Sequence, residues 1–115
     1  MANTFKVITK AGVTSADIIY TVAGSTTTVI LGLIIGNTTS SSVNATVTLG
    51  TDTANRAGAN NETNQDVELI TATPIPGNST LEFMGGNKLV METTDTLSVT
   101  GSGATDIALS VMEIT

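Results

Sequence analysis

The sequence lacks cysteine, histidine and tryptophan altogether, and its aromatic rings are limited to Phe5, Tyr20 and Phe83. Without cysteine the chain can form neither a disulfide nor a thiolate nucleophile. Without histidine it has neither the commonest general base nor the commonest zinc ligand. Surfaces that stack nucleic-acid bases or sugar rings also need more aromatic side chains than these three. The missing residue types therefore disfavour most catalytic, metal-binding and ring-stacking sites.

Basic side chains are scarce as well. Four lysine and arginine residues stand against ten acids, which gives a net charge of −6. The four, Lys6, Lys10, Arg56 and Lys88, are scattered along the chain rather than clustered. Nucleic-acid surfaces and anionic membranes both attract clustered cations. We therefore expect neither a nucleic acid nor a membrane as a partner.

Long hydrophobic runs are also absent. The longest apolar stretch covers residues 29–35 and is interrupted by Gly32, whereas a membrane-spanning helix needs about twenty residues. Residues 1–14 lack the charged, apolar and small-residue layout of a secretion signal. The sequence thus predicts a soluble protein made in a cytoplasm.

The residues that are abundant favour β-structure. Threonine and valine are frequent, and β-branched side chains pack well on strands but lose rotamer freedom in helices. Turn-forming residues divide the chain into about eight strands, among them 27–37, the alternating segment 43–49, and 105–114. Pro74 and Pro76 place their segment on a sheet edge or in a crossover. We predict one domain over residues 1–115: a two-sheet antiparallel, jelly-roll-like β-sandwich with a long polar loop at 50–65.

No reactive constellation emerges from the remaining residues. Most of the acids alternate with apolar neighbours, as Glu82 does between Leu81 and Phe83, which is typical of a solvated sheet face. Asp52, Glu62 and Asp66 could contribute calcium ligands, but their spacing matches no calcium loop, and we interpret them as solvated loop acids. We therefore predict no catalytic, cofactor-binding or metal-binding residues and no enzymatic activity.

Apolar residues exceed what a small sandwich needs for its core. In the segment 27–37, alternation places Val29, Leu31, Leu33 and Ile35 on one face and leaves two isoleucines on the other. A strand that is apolar on both faces is covered twice, either by its own chain or by another subunit. We predict a homo-oligomer; the alternative is that loops fold over the excess. The candidate interface residues are Ile30, Ile34, Met84, Met112 and Ile114.

Several segments resemble short virion proteins of marine and cyanobacterial bacteriophages. They are TFKVITKA at 4–11, IYTV at 19–22, VILGL at 29–33, PIPGNS at 74–79 and LSVMEIT at 109–115. The resemblance extends over nearly the whole chain and is weakest at 50–65. The resemblance lies in the spacing of strands and turns, and it implies no catalytic residues.

The resemblance implies a structural role on the virion after synthesis in the host bacterial cytoplasm. The expected protein is a capsid decoration, or cement, protein that binds the major capsid protein and sister copies as a dimer or trimer. One alternative is a neck, tail, baseplate or fibre component that binds other virion proteins. Another is a carbohydrate-binding module of a host-recognition protein, which the missing tryptophan disfavours.

Overall fold

The computed structural model describes residues 2–51, 64–84 and 87–115, and within these ranges the chain is all strand and turn, with no helix. This confirms the predicted all-β class. The segments predicted at 27–37 and 105–114 are strands with those bounds. The described residues form nine strands: β1 (Asn3–Val13), β2 (Asp17–Thr21), β3 (Thr27–Asn37), β4 (Val43–Gly50), β5 (Asp66–Ile75), β6 (Thr80–Phe83), β7 (Leu89–Met91), β8 (Thr96–Gly101) and β9 (Thr105–Ile114).

The strands form two antiparallel sheets. In sheet A the order is β1-β9-β3, and β6 and β7 both pair with β3; in sheet B the order is β2-β8-β4-β5. The second half of the chain therefore pairs with the first half in reverse: β9 with β1, β8 with β2, β7 and β6 with β3, and β5 with β4. This is one long hairpin wrapped into two sheets, the arrangement of a jelly roll.

The core lies between the sheets and follows the alternation of the strands. In β4, Val43, Ala45, Val47 and Leu49 are buried, and the polar residues between them are more exposed, as predicted. Fully burying a side chain of this type stabilises the fold by about 1.5–3 kcal/mol. The neighbouring strand β8 contributes Leu97 and Val99 to the core, and β9 of the facing sheet contributes Ile107, Leu109 and Val111.

Strand β3 departs from simple alternation. Its pairing with β9 shifts between Ile30 and Gly32, which inserts Leu31 as an extra residue. Such a bulge reverses the phase of every later side chain. The prediction that Ile30 lies with Ile34 on an outer face is therefore wrong. Ile30 has none of its surface exposed, whereas Ile34 is 45% exposed.

Strand β5 closes one side of sheet B. It lies at the sheet edge and contains Pro74, which confirms the predicted edge position. At its other end the backbone N–H of Thr51 donates to the carbonyl of Gln65 at 2.8 Å. Most of the loop predicted at 50–65, with Asp52 and Glu62, lies outside the described residues. In the part of the chain that the structure describes, no helix has the length and hydrophobicity needed to cross a membrane.

Candidate interaction surface

A row of apolar side chains crosses the outer face of sheet A. Phe5 of β1 pairs with Met112 of β9, Met112 pairs with Val29 of β3, and Val29 pairs with Val90 of β7. Residues directly opposite each other in a sheet project from the same face. Phe5 is 71% exposed and Val90 is 50% exposed. The row therefore lies on the solvent side, away from sheet B.

Three further apolar residues extend this row on the same face. Val7 pairs with Ser110, which pairs with Gly32; Ile114 pairs with Thr27; and Ile34 pairs with Ala108. Val7 and Ile34 are exposed, and Ile114 is half-buried. We call this surface the outer patch. It consists of Phe5, Val7, Val29, Ile34, Val90, Met112 and Ile114.

The structure brings together some of the predicted interface residues and separates others. Ile34, Met112 and Ile114 lie on the outer patch, whereas Ile30 lies in the core. Met84, just after β6, is half-buried against the core cluster. Phe5, Val7 and Val90 were missed. Alternation in the sequence puts Phe5 and Val7 on one face but does not say which face is covered.

A charged network lies on the opposite, inner side of the same strands. The Lys6 ammonium is 2.8 Å from a Glu113 carboxylate oxygen. The Tyr20 hydroxyl donates to the other oxygen at 2.6 Å. The Tyr20 hydroxyl is also 2.7 Å from Thr28 Oγ1. Because the single phenolic proton goes to Glu113, the Thr28 hydroxyl is the donor in this second bond. The network joins β1, β2, β3 and β9.

These contacts shift the pKa values of two groups. The hydrogen bond from Lys6, followed by that from Tyr20, lowers the pKa of Glu113 below its ordinary value. Burial, followed by the hydrogen bond to Glu113, raises the pKa of Tyr20 to about 12. At neutral pH the carboxylate is therefore charged and the phenol is neutral.

Sheet B carries a groove of about 390 Å³ on its outer face. Its lining includes Thr48, Thr96, Ser98 and Asp66, and none of its lining residues is aromatic. Within the described ranges, no group of three or more aspartate, glutamate, histidine or cysteine residues is placed to hold a metal ion. The groove thus offers hydroxyl groups and one carboxylate beside the apolar side chains of Ala16 and Ile18.

Buried polar side chains in this protein have structural partners. The Asn37 amide donates to the carbonyls of Ser41 and Ile75, at 2.8 and 2.9 Å. Its oxygen accepts from the Thr39 N–H and hydroxyl. This pins the loop after β3 to the end of β5. Across the described residues, every buried side-chain nitrogen or oxygen has a hydrogen-bond partner.

Comparisons with known proteins give a distant structural likeness. No protein-family model matches the chain, and no curated protein matches it in sequence. One solved structure aligns with 97% of this chain, and the alignment covers 84% of the other chain. That structure is described as "Bacillus endospore appendages form a novel family of disulfide-linked pili". The identity is 16% and the TM-score is 0.48. A likeness this distant supports no inference about function.

Proposed function

We propose that this chain is a bacteriophage capsid decoration protein that binds the major capsid protein through the outer patch. The observation that carries the proposal is the concentration of exposed apolar side chains on one sheet face. Of the six large exposed hydrophobic residues in the described part of the chain, Phe5, Val7, Ile34 and Val90 lie there. Exposed apolar residues concentrated on one face often mark a protein interface. The resemblance to phage virion proteins is the reason for proposing a capsid as the partner.

Charge at the border of the patch indicates what a complementary surface would look like. The outer patch itself contains no charged residue. Glu82 pairs with Ile34, and Asp106 pairs with Gly36, so both acids lie on the same face at one end of the patch. A complementary surface would be apolar at its centre and basic beside these two carboxylates. Contacts between sister copies would link neighbouring sites on the shell, so modest contacts of this kind would add through multivalency.

The location of the protein in purified particles tests the proposal directly. A decoration protein should be present in a copy number comparable to that of the major capsid protein, measured by quantitative mass spectrometry of the virion. A reconstruction should show its sheet A facing the shell. A few copies at one vertex would instead support a neck, tail, baseplate or fibre component. Absence from the particle would overturn the virion proposal.

Substitutions on the two outer faces test which surface binds. Ile34→Asp and Val90→Asp place a charge on the outer patch, whereas Ile18→Asp places the same charge on sheet B. Ile18 is a matched control because it is 56% exposed. Binding to particles stripped of the protein should weaken at least tenfold, about 1.4 kcal/mol, in the two patch variants. Ile18→Asp should bind like the unaltered protein, and an equal loss in all three would contradict the assignment.

The groove on sheet B favours a second candidate, a carbohydrate-binding module. Threonine and serine hydroxyls can donate to and accept from sugar hydroxyls, and Thr48, Thr96 and Ser98 line this groove. A glycan array tests it. Binding to a defined glycan that Ser98→Val abolishes and Val90→Asp leaves intact would support this candidate over decoration.

A further inference from the structure

The edges of the two sheets differ in how well they are protected against pairing with another strand. At the edges of sheet B, β5 contains Pro74 and two register shifts, and β2 has five residues and one shift. At one edge of sheet A, β6 and β7 have only four and three residues. Short strands, bulges and proline are the usual protection of a sheet edge. Among the described strands, this leaves β1 as the long and regular edge.

Strand β1 presents regular pairing groups at its free side. Its register with β9 is unbroken from Asn3 to Lys10. Ala2 and Thr115 exchange two backbone hydrogen bonds, at 3.1 and 3.0 Å. In an antiparallel ladder such pairs recur at every second residue. The even-numbered residues therefore bond β9, and the N–H and C=O groups of the odd-numbered residues 3, 5, 7 and 9 point away from it.

The two lysines of β1 are paired with acids and therefore do not protect this edge as isolated positive charges. Lys6 is paired with Glu113 at 2.8 Å, and Lys10 is paired with Asp17 at 3.3 Å. Lysine on an edge strand ordinarily discourages pairing, since like charges directly opposite each other are unfavourable. With both ammonium groups neutralised by their own chain, only registers that place two lysines opposite each other remain disfavoured.

We propose that two copies of this chain associate through antiparallel β1–β1 pairing, with Val7 of each copy at the two-fold axis. In this register Phe5 lies opposite Thr9 of the second copy, and Lys6 lies opposite Ile8. A two-fold axis at Lys6 would oppose Lys6 to itself, and one at Ile8 would oppose Lys6 to Lys10. An axis at Phe5 or at Thr9 also avoids such contacts but pairs a shorter regular stretch, because the register of β1 is unbroken only from Asn3 to Lys10. The Val7 register is thus the longest one free of lysine contacts.

The pairing joins the two copies of sheet A into one continuous sheet, with five strands from each copy. The two-fold axis is perpendicular to this sheet, so both outer patches lie on the same side and meet at Phe5 and Val7. The inference goes beyond the proposed function, because the dimer requires no virion component. It also gives a symmetric contact, as is usual for homodimers.

Single-cysteine variants test the register, and the absence of native cysteine makes each thiol unique. Directly opposite hydrogen-bonded residues have Cα atoms about 5.5 Å apart, within the range of a disulfide. Val7→Cys should therefore form a disulfide-linked dimer on mild oxidation. Ile34→Cys and Ile18→Cys are exposed controls away from β1 and should remain uncrosslinked. Crosslinking at Val7 no faster than at these controls would overturn the proposal.

A backbone variant tests the hydrogen bonds themselves. Because the Val7 N–H points to the free side, Val7→Pro removes pairing capacity without removing a bond to β9. Val7→Thr keeps the N–H and the branched side chain, so it is the matched control. Light scattering at micromolar concentrations should find a dimer for the unaltered protein and Val7→Thr, and a monomer for Val7→Pro. Circular dichroism should show the same strand content in all three.

The outcomes separate this inference from the proposed function. An unaltered protein that is monomeric throughout this concentration range overturns the β1 dimer, even if it still binds capsids. Conversely, Ile34 and Val90 lie outside β1, so loss of capsid binding in their aspartate variants with an intact dimer concerns the outer patch alone. A dimer that Val7→Pro leaves unchanged would place the contact elsewhere and would also overturn the inference.

Discussion

Tyr20 is the chain's only tyrosine, and its position among Thr28, Glu113 and the core makes it a built-in probe of the packing of the sandwich. Burial and the Glu113 carboxylate both disfavour the tyrosinate anion. Its folded-state pKa of about 12 lies above the ordinary value of 10.0. The resulting stabilisation is present below about pH 10 and is lost as the pH rises toward 12. The contacts of the Tyr20 phenol therefore contribute to the loss of fold stability at high pH.

We expect an ultraviolet absorbance titration of the folded protein to give a tyrosine pKa of about 12. Glu113→Gln removes the neighbouring negative charge and should move this pKa down toward 10.0. Glu82→Gln is the control, because Glu82 lies on the opposite side of sheet A and should leave the titration unchanged. A tyrosine that titrates near its ordinary value in the unaltered folded protein would contradict the network.

Asn37 illustrates a buried amide whose role is structural. Its N–H groups donate to the carbonyls of Ser41 and Ile75, and both carbonyls would lose this donor if the amide were removed, while the Ser41 carbonyl would keep its bond from the Thr39 hydroxyl. A buried polar group without a partner costs about 1–3 kcal/mol. We expect Asn37→Ala to lower the free energy of unfolding by about 2–3 kcal/mol in urea titrations. Asn44→Ala is the control, since Asn44 is exposed, and an equal loss in both variants would refute the role of Asn37.

At the scale of the strand, the bulge at Leu31 decides which isoleucines of β3 belong to the core. Ile30 precedes the bulge and is buried, whereas Ile34 follows it and faces outward. Simple alternation places both on one face, so it predicts similar losses when either is truncated. The structure predicts different losses, because only Ile30 would leave a cavity.

We expect Ile30→Ala to lower the free energy of unfolding by about 2–5 kcal/mol, the usual cost of truncating a buried isoleucine. Ile34→Ala should cost less than about 1 kcal/mol, since its side chain keeps much of its contact with water in the folded state. Equilibrium denaturation of the two variants measures the difference. Equal losses of unfolding free energy would show that β3 has no bulge and that its side chains alternate without interruption.

At the scale of the whole molecule, the outer patch contributes contact surface without being needed for the fold. Its exposed members gain little from folding, because they remain in contact with water. We therefore expect Ile34→Asp and Val90→Asp each to change the free energy of unfolding by no more than about 1 kcal/mol, the span of strand propensities. Thermal and urea denaturation of the two variants checks this, with Ile18→Asp for comparison. Unfolding of either patch variant would show that the face supports the fold itself.

The proposed dimer and the proposed capsid contact use adjacent parts of one sheet. The dimer uses the edge of β1, whereas the capsid contact uses the outer face that β1, β9, β3 and β7 share. Because Phe5 and Val7 lie where the two meet, dimerisation would double the apolar surface offered to a shell. A partner that binds both halves gains affinity through the link between them.

Sequence patterns alone predicted the all-β class, the two-sheet form, the bounds of β3 and β9, and the alternation of β4. They succeeded because side-chain period and turn chemistry are local properties of the chain. Sequence alternation could not predict that the Ile30 side chain points into the core, because the bulge forms only when β3 pairs with β9. The long-range pairing also decided that β1 is a free edge and that Phe5, Val7 and Val90 share a row. Alternation states which side chains lie together, but only the assembled sheets determine which face is covered and which remains exposed.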